Sequence, residues 1–256
     1  AARDEFSGVV LVSQDGGTLF EGAYGLASRR WGVPVTPSTR FDVASVTKLF
    51  TAVAVLQQVH AGTLSLDGLI HEHVDLAGTQ IPAGVTLKQL LTHASGIADD
   101  ADEEAGESYE ALWLERPNYS ITETVNFLPQ FAYKAPNFPP GQGCRYCNVG
   151  YILAGLALEN ATGGSYRDYV VEHIFAPTGM TAGFFDMREA VPDVAEGWEP
   201  AAGGSGWRSN IYSYPPVGSP DGGAYATARD LVVFLEAVRA GRLLSPEPTE
   251  AFLTPK

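Results

Sequence analysis

The sequence predicts a mixed α/β (α+β) chain, a short antiparallel sheet element followed by a long, mostly helical body. Three observations predict it. A strand-forming stretch near the start is broken by Asp15-Gly16-Gly17. Several apolar stretches at helical spacing follow, most of them closed by glycine. No internal repeat and no low-complexity tail interrupts this order.

Taken in order, "FSGVVLVSQDGGTLFEGAYG" (6–25) reads as two strands. Val10, Val12, Leu19 and Phe20 are strand formers, and Asp15-Gly16-Gly17 can supply the positive φ angles of a tight turn. "VPVTPSTRF" (33–41) has two prolines and reads as a loop. In "FDVASVTKLFTAVAVLQQVHAG" (41–62), Val46, Leu49, Phe50, Val53, Ala54 and Leu56 recur at helical spacing up to Gly62. "TLKQLLTHASGI" (86–97) predicts a short helix with Thr86 as N-cap. "ITETVNFL" (121–128) is the best helix of the irregular stretch 98–143. Helices follow over 148–164, over 165–180 and over 227–241, the last capped by Thr227. The chain reads as one unit, 1–256. Residues 1–40 form a sheet layer with the 220–256 helix packed near it, and 41–219 carry the motifs.

With 256 residues and a net charge of −14, the chain is long enough for a sizeable core and repels phosphate backbones. Nucleic acid is excluded as a partner, while neutral or cationic small molecules and peptides are not. No apolar run is long enough for a membrane span. The start "AARDEFSG" lacks a leader pattern, which fits either a cytoplasmic protein or a secreted or periplasmic one whose leader has been removed. "DDADEEAGE" (99–107) reads as a solvated surface loop. Cys144 and Cys147 form a lone C-x-x-C, read as two small, mostly buried residues without redox importance.

The chemistry concentrates in two places. Ser45 and Lys48, three apart at a helix entrance, present a hydroxyl and an amine to the same space. They are either an N-cap with a snorkelling lysine or a nucleophile with its base, since lysine beside serine can activate the hydroxyl without histidine. Tyr146 and Asn148, at the entrance of the 148–164 helix, are either a buried tyrosine and a cap or a proton shuttle and a substrate-holding amide.

"SVTK" (45–48) and "YCN" (146–148) resemble the first two motifs of the penicillin-recognising serine hydrolases. The branch they resemble holds class C β-lactamases, D-alanyl-D-alanine carboxypeptidases and related esterases. The likeness continues through 39–67, 87–97, 146–180 and 218–245, in the family's order. It implies a serine β-lactamase or penicillin-binding-protein-like fold and an acyl-serine mechanism on a β-lactam, a D-alanyl peptide or a small ester. In that reading Ser45 attacks, Lys48 takes its proton, Tyr146 returns a proton to the leaving group and Asn148 orients substrate. No cofactor is implied.

The family's third motif, Lys-Thr-Gly or His-x-Gly on a later strand, has no match here, and Lys256 is terminal. More strands follow in the family, so by that resemblance the antiparallel sheet looks incomplete in this chain. Three explanations compete: a fragment, a second polypeptide supplying the C-terminal strands, or a natural shortened protein. The first two are favoured because a two-strand sheet could hardly bury its half of the core. The alternative function is a non-catalytic member or fragment that binds peptide or peptidoglycan-like ligands, or a partner.

Other clusters carry less. "IHEHVD" (70–75) groups His71, Glu72, His73 and Asp75 without a convincing third ligand, so no metal site is expected. His93 reads as structural, "GGSG" (203–206) lacks a nucleophile-elbow pattern, and Asp221-Gly222-Gly223 reads as a turn beside the cleft.

Overall fold

The structure, a computed structural model, describes residues 6–254 apart from 103, 104, 202 and 205. Glu103, Glu104, Ser205 and Lys256, which figure in the sequence reading, lie outside the described residues.

Strands β1 (Gly8–Gln14) and β2 (Gly17–Tyr24) form an antiparallel hairpin, in register from Gly8↔Tyr24 to Gln14↔Gly17 with a bulge at Val12/Ser13. Asp15 (φ 51°) and Gly16 (φ 77°) make the left-handed turn. Val10, Val12, Leu19 and Phe20 are exposed, so the strand formers of this hairpin do not belong to the core of the described residues. The stretch expected as a loop also holds short ladders: β3 (Leu26–Ser28) pairs with β4 (Val33–Pro34). Strand β5 (Phe41–Asp42) pairs with residues 225–226, which ties the entrance of the first helix to a segment far along the chain.

A 3-10 turn (Ala44–Val46) leads into α1 (Thr47–Ala61), which ends on left-handed Gly62. Helix α2 (Leu87–Leu91) starts at a capping box in which Thr86 and Gln89 each accept the other's N–H. The helix expected over 121–128 is instead a 3-10 turn (Thr124–Phe127) followed by α3 (Leu128–Phe131). Asn126 explains the shift: its Oδ1 accepts the N–H groups of Thr122 and Glu123, which keeps those residues outside the helix.

Helix α4 (Val149–Thr162) is the centre of the fold, with every residue from Val149 to Leu158 buried. A helix apolar on all sides needs neighbours all round. On one side are α2 residues Leu87 and Leu90 with Ile121, Phe127 and Phe131. On the other, Leu158 joins a cluster built from α1 and later helices. The chain then runs through α5 (Tyr166–Val170), a π turn (Val171–Phe175) and α6 (Ala176–Thr178), ended by left-handed Gly179. Pro177 sits inside this last turn, and Gly179 is the stop.

The 181–222 region folds around a small antiparallel ladder of β6 (Trp198–Pro200) and β7 (Trp207–Ser209). Arg29 lies 3.7 Å over the Trp207 ring, anchoring this ladder to the N-terminal strands. Strand β8 (Tyr225–Ala226) is the partner of β5. Helix α7 (Ala228–Arg239) opens with a Thr227–Asp230 capping box, and Arg229 pairs with Glu21 of the hairpin at 3.2 Å. A last helix, α8 (Pro246–Leu253), goes beyond the sequence reading, although Ser245-Pro246 is a helix-start signal. Phe50 of α1 locks these helices together, edge-on to Phe175 (5.0 Å) and to Phe234 of α7 (4.8 Å). Among the described residues no helix is long and apolar enough to cross a membrane.

One close approach ties the core to the cleft. A Cβ at Gly155 of α4 would stand 2.2 Å from Cγ of Pro220. Gly155→Ala is expected to cost about 1–3 kcal/mol through overpacking. The check is urea unfolding: a lower midpoint at unchanged m, whereas an unmoved midpoint means the Pro220 ring does not press on α4 at Gly155.

Candidate active site

The Ser45 turn is held by its neighbours before and after. Asp42 Oδ1 accepts the N–H of Ala44 at 2.7 Å, and Ala44 takes a left-handed φ of 44°. Val43 donates its N–H to the Ala224 carbonyl at 2.8 Å, and Thr47 Oγ1 accepts the N–H of Ala224 at 3.0 Å. The turn is therefore strapped to the 224–226 segment on both sides, and Ser45 is left exposed at its tip.

Lys48, one turn on, is only 6% exposed. A buried amine must find acceptors, and Nζ has three: Ser45 Oγ (3.1 Å), Asn148 Oδ1 (2.8 Å) and the Asp221 carbonyl (2.6 Å). It also lies 5.1 Å from the Tyr146 ring centre and 5.6 Å from that of Tyr151. Tyr146 donates its hydroxyl to Ser45 Oγ at 2.7 Å. The structure thus brings all four sequence-predicted residues, Ser45, Lys48, Tyr146 and Asn148, into one hydrogen-bonded cluster.

Asn148 is not the cap of α4, for its side chain makes no capping bond and its backbone is already helical. Asp99 takes that role from 49 residues away, accepting the N–H groups of Asn148 (2.9 Å) and Val149 (3.1 Å). Asp99 Oδ2 and the Tyr109 hydroxyl also accept from Asn148 Nδ2, at 3.2 and 2.7 Å. With both amide hydrogens used this way, Asn148 Oδ1 must face Lys48.

This corrects the reading of 99–107 as a solvated loop at its start, while 105–107 are exposed as expected. Asp99 serves the site, and Asp100 is 6% exposed, accepting the N–H of Ala101 at 2.8 Å. Burial, then the nearby charges of Asp99 and Asp221, push the Asp100 carboxyl up to about 8. Burial also raises Asp221, against the opposing pull of Lys48. Asp221-Gly222-Gly223 is the expected turn, closed by the Ser219–Gly222 bridge, with Ser219 donating to Asp221 Oδ1 at 2.6 Å.

The cluster opens into a cleft of about 570 Å³ whose walls include Tyr109, Trp113, Tyr146, Tyr214 and Tyr225 together with Asp42, Asp100 and Asp221. Among the described residues no group of three metal-ligating side chains is found, and His71 instead contacts the Ile81 carbonyl at 3.2 Å. Of the two cysteines, both free thiols, Cys147 is buried but Cys144 is exposed, contrary to expectation. Their places in the chain explain it: Cys147 leads directly into the buried helix, while Cys144 lies in the irregular segment before it.

The beta-lactamase family profile matches residues 1–256. Penicillin-binding protein 4 of Amycolatopsis lactamdurans is 32% identical over 176 residues, covering 68% of this chain and 43% of that protein. Esterase EstB of Burkholderia gladioli is 32% identical over 269 residues, covering 93% of this chain and 67% of that protein. The crystal structure of a penicillin-binding protein from Bacillus halodurans superposes with a TM-score of 0.92 at 37% identity, covering 97% of this chain and 75% of that one. The chain thus spans from 43% to 67% of the length of these two curated relatives.

Asp100 makes a signed prediction about stability. Its carboxyl ionises near 3.8 in the unfolded chain and near 8 in the folded one. Between those values the folded state binds more protons, so its contribution to stability is complete below the lower value and is lost as pH rises through the upper one. Asp100→Asn removes the titration. Its melting temperature, relative to the parent, should climb between about pH 4 and about pH 8 and then level off. A difference that stays flat across that range would mean Asp100 is ionised in the folded protein.

Proposed function

We propose that this chain, which belongs to the beta-lactamase family, carries the acyl-transfer centre of a serine hydrolase acting on amides or esters. The observation that supports the reading best is the convergence on Ser45 Oγ of Lys48 Nζ at 3.1 Å and the Tyr146 hydroxyl at 2.7 Å. One oxygen lies within proton-transfer reach of two groups that can exchange protons with it.

In this reading Lys48 acts from its neutral amine form, with two hydrogens on Asn148 Oδ1 and the Asp221 carbonyl. Its lone pair takes the proton of Ser45 Oγ as that oxygen attacks the substrate carbonyl, giving the ammonium with three donated hydrogens. The backbone N–H of Ser45 supplies one donor to the developing oxyanion. Tyr146 gives its proton to the departing amine or alcohol, and the proton held by Lys48 restores it through the cluster. Water then attacks the acyl-serine, returning the hydrogen to Ser45 and releasing the acid. Asn148, with its amide hydrogens committed to Asp99 and Tyr109, keeps Lys48 oriented through Oδ1.

The aromatic walls of the cleft suit an apolar or aromatic acyl group. Substrates of the β-lactam, D-alanyl peptide and small-ester classes share the acyl carbonyl that this centre requires.

Incubation with a fluorescent penicillin and with a fluorophosphonate, read by intact mass, tests the proposal. A stoichiometric adduct is expected from at least one probe, and Ser45→Ala should abolish it while melting normally. Lys48→Met should slow acylation by roughly 10²- to 10⁴-fold. A folded chain that takes neither label and turns over no ester leaves the binding-only alternative standing instead.

A further inference from the structure

His93 lies just past the end of α2, half-buried, with a φ of 57°. A left-handed backbone costs a non-glycine residue about 1–3 kcal/mol and persists where the surroundings over-determine it. Here they do. The His93 carbonyl accepts the N–H of Arg145 at 2.9 Å, and Nδ1 accepts the N–H of Cys147 at 3.1 Å. The residues on either side of Tyr146 therefore hang from the same histidine. The imidazole also packs on Tyr146 itself, with ring centres 4.5 Å apart at 32°, and is backed by Tyr151 at 5.5 Å.

We propose that His93 is a positioning residue for Tyr146: its neutral imidazole holds the phenol on Ser45, and protonation at Nδ1 releases it. An Nδ1 that accepts an N–H carries no hydrogen, so the neutral ring has its hydrogen on Nε2. A proton added at Nδ1 would oppose the N–H of Cys147, removing one of the three contacts that fix residues 145–147. The groups facing the ring are Lys48 from α1, Asp99 from the segment after α2, and Tyr146, Cys147 and Tyr151 from the entrance and first turn of α4. Burial and the Lys48 charge lower the pKa of His93, and Asp99 opposes them. Release is therefore expected on the acid side of an ordinary histidine. The consequence for turnover rests on the reading of Ser45 and Tyr146 given above; the grip on Tyr146 does not.

The test follows the imidazole and its neighbours by NMR in the full chain, from about pH 8 to about pH 4, across the ordinary histidine range. The Nε2–H tautomer is expected near neutrality, with the Cys147 amide and Tyr146 ring signals moving at the midpoint of His93. An Nδ1–H tautomer, or a His93 titration that leaves both neighbours still, overturns the proposal. This readout needs no catalysis. A chain that never acylates Ser45 sinks the hydrolase reading, while the tautomer and the two neighbouring signals still decide whether His93 grips Tyr146.

Acylation rates supply a second arm. His93→Phe keeps a ring but no acceptor, and should lower the rate roughly 10- to 100-fold with binding of the probe little changed. His93→Asn offers Oδ1 as acceptor and tolerates the left-handed backbone. It should recover most of the rate and lose the acid limb of the pH profile. If the two variants are slowed alike, or if His93→Asn keeps the acid limb, His93 is merely a packing residue.

Discussion

A helix buried on every face still has to satisfy the N–H groups of its first turn, and α4 cannot do so alone. Asn148, the residue before it, already has helical dihedrals and offers no capping oxygen. Asp99 supplies the missing acceptors, and the remaining geometry follows from that. Because the carboxylate also takes a hydrogen from the Asn148 amide, the amide oxygen is turned toward Lys48. Lys48, in turn, is fixed between α4, the Ser45 turn and the Asp221 carbonyl. A capping requirement at the centre of the fold thereby sets the orientation of a side chain at the cleft.

The packing side reaches the same place from below. Thr51, one turn after Lys48 on α1, contacts the Tyr166 hydroxyl at 2.7 Å and donates to the Pro220 carbonyl at 2.6 Å. Pro220 rests against Gly155 of α4, which has no side chain to keep it away. The carbonyl that receives Lys48 belongs to the next residue, so its height above α1 is set by the core. Desolvating an amine is costly unless its partners are already in position. These partners are carried by three segments that the apolar clusters hold together.

Much of this was legible in the sequence, for physical reasons that also mark where legibility stops. Ser45 and Lys48 share a helix face by spacing alone, and Tyr146 and Asn148 share a helix entrance, so local periodicity could pair each couple. The caps at Thr86 and Thr227 were equally local. Asp99 and Asp100 were not legible, because a run of carboxylates looks solvated unless its distant partners are known. No local signal pointed to them, because Asn148 just before Val149 reads as a cap, and only its helical dihedrals in the structure show that the acceptor comes from elsewhere. The exposed faces of Val10, Val12, Leu19 and Phe20 show the converse, since alternation identifies a strand without saying what covers it.

The three contacts of Lys48 also bear on which residues the position can accept as sequences drift. An ammonium has three hydrogens, and here three converging acceptors use them all. Arginine, the exchange that keeps the charge, brings five hydrogens in a flat fork. Three acceptors gathered around one nitrogen cannot serve such a plane, and the surplus donors would be shut away from water. The same arrangement that makes a buried amine tolerable at position 48 thus closes that position to its nearest chemical relative.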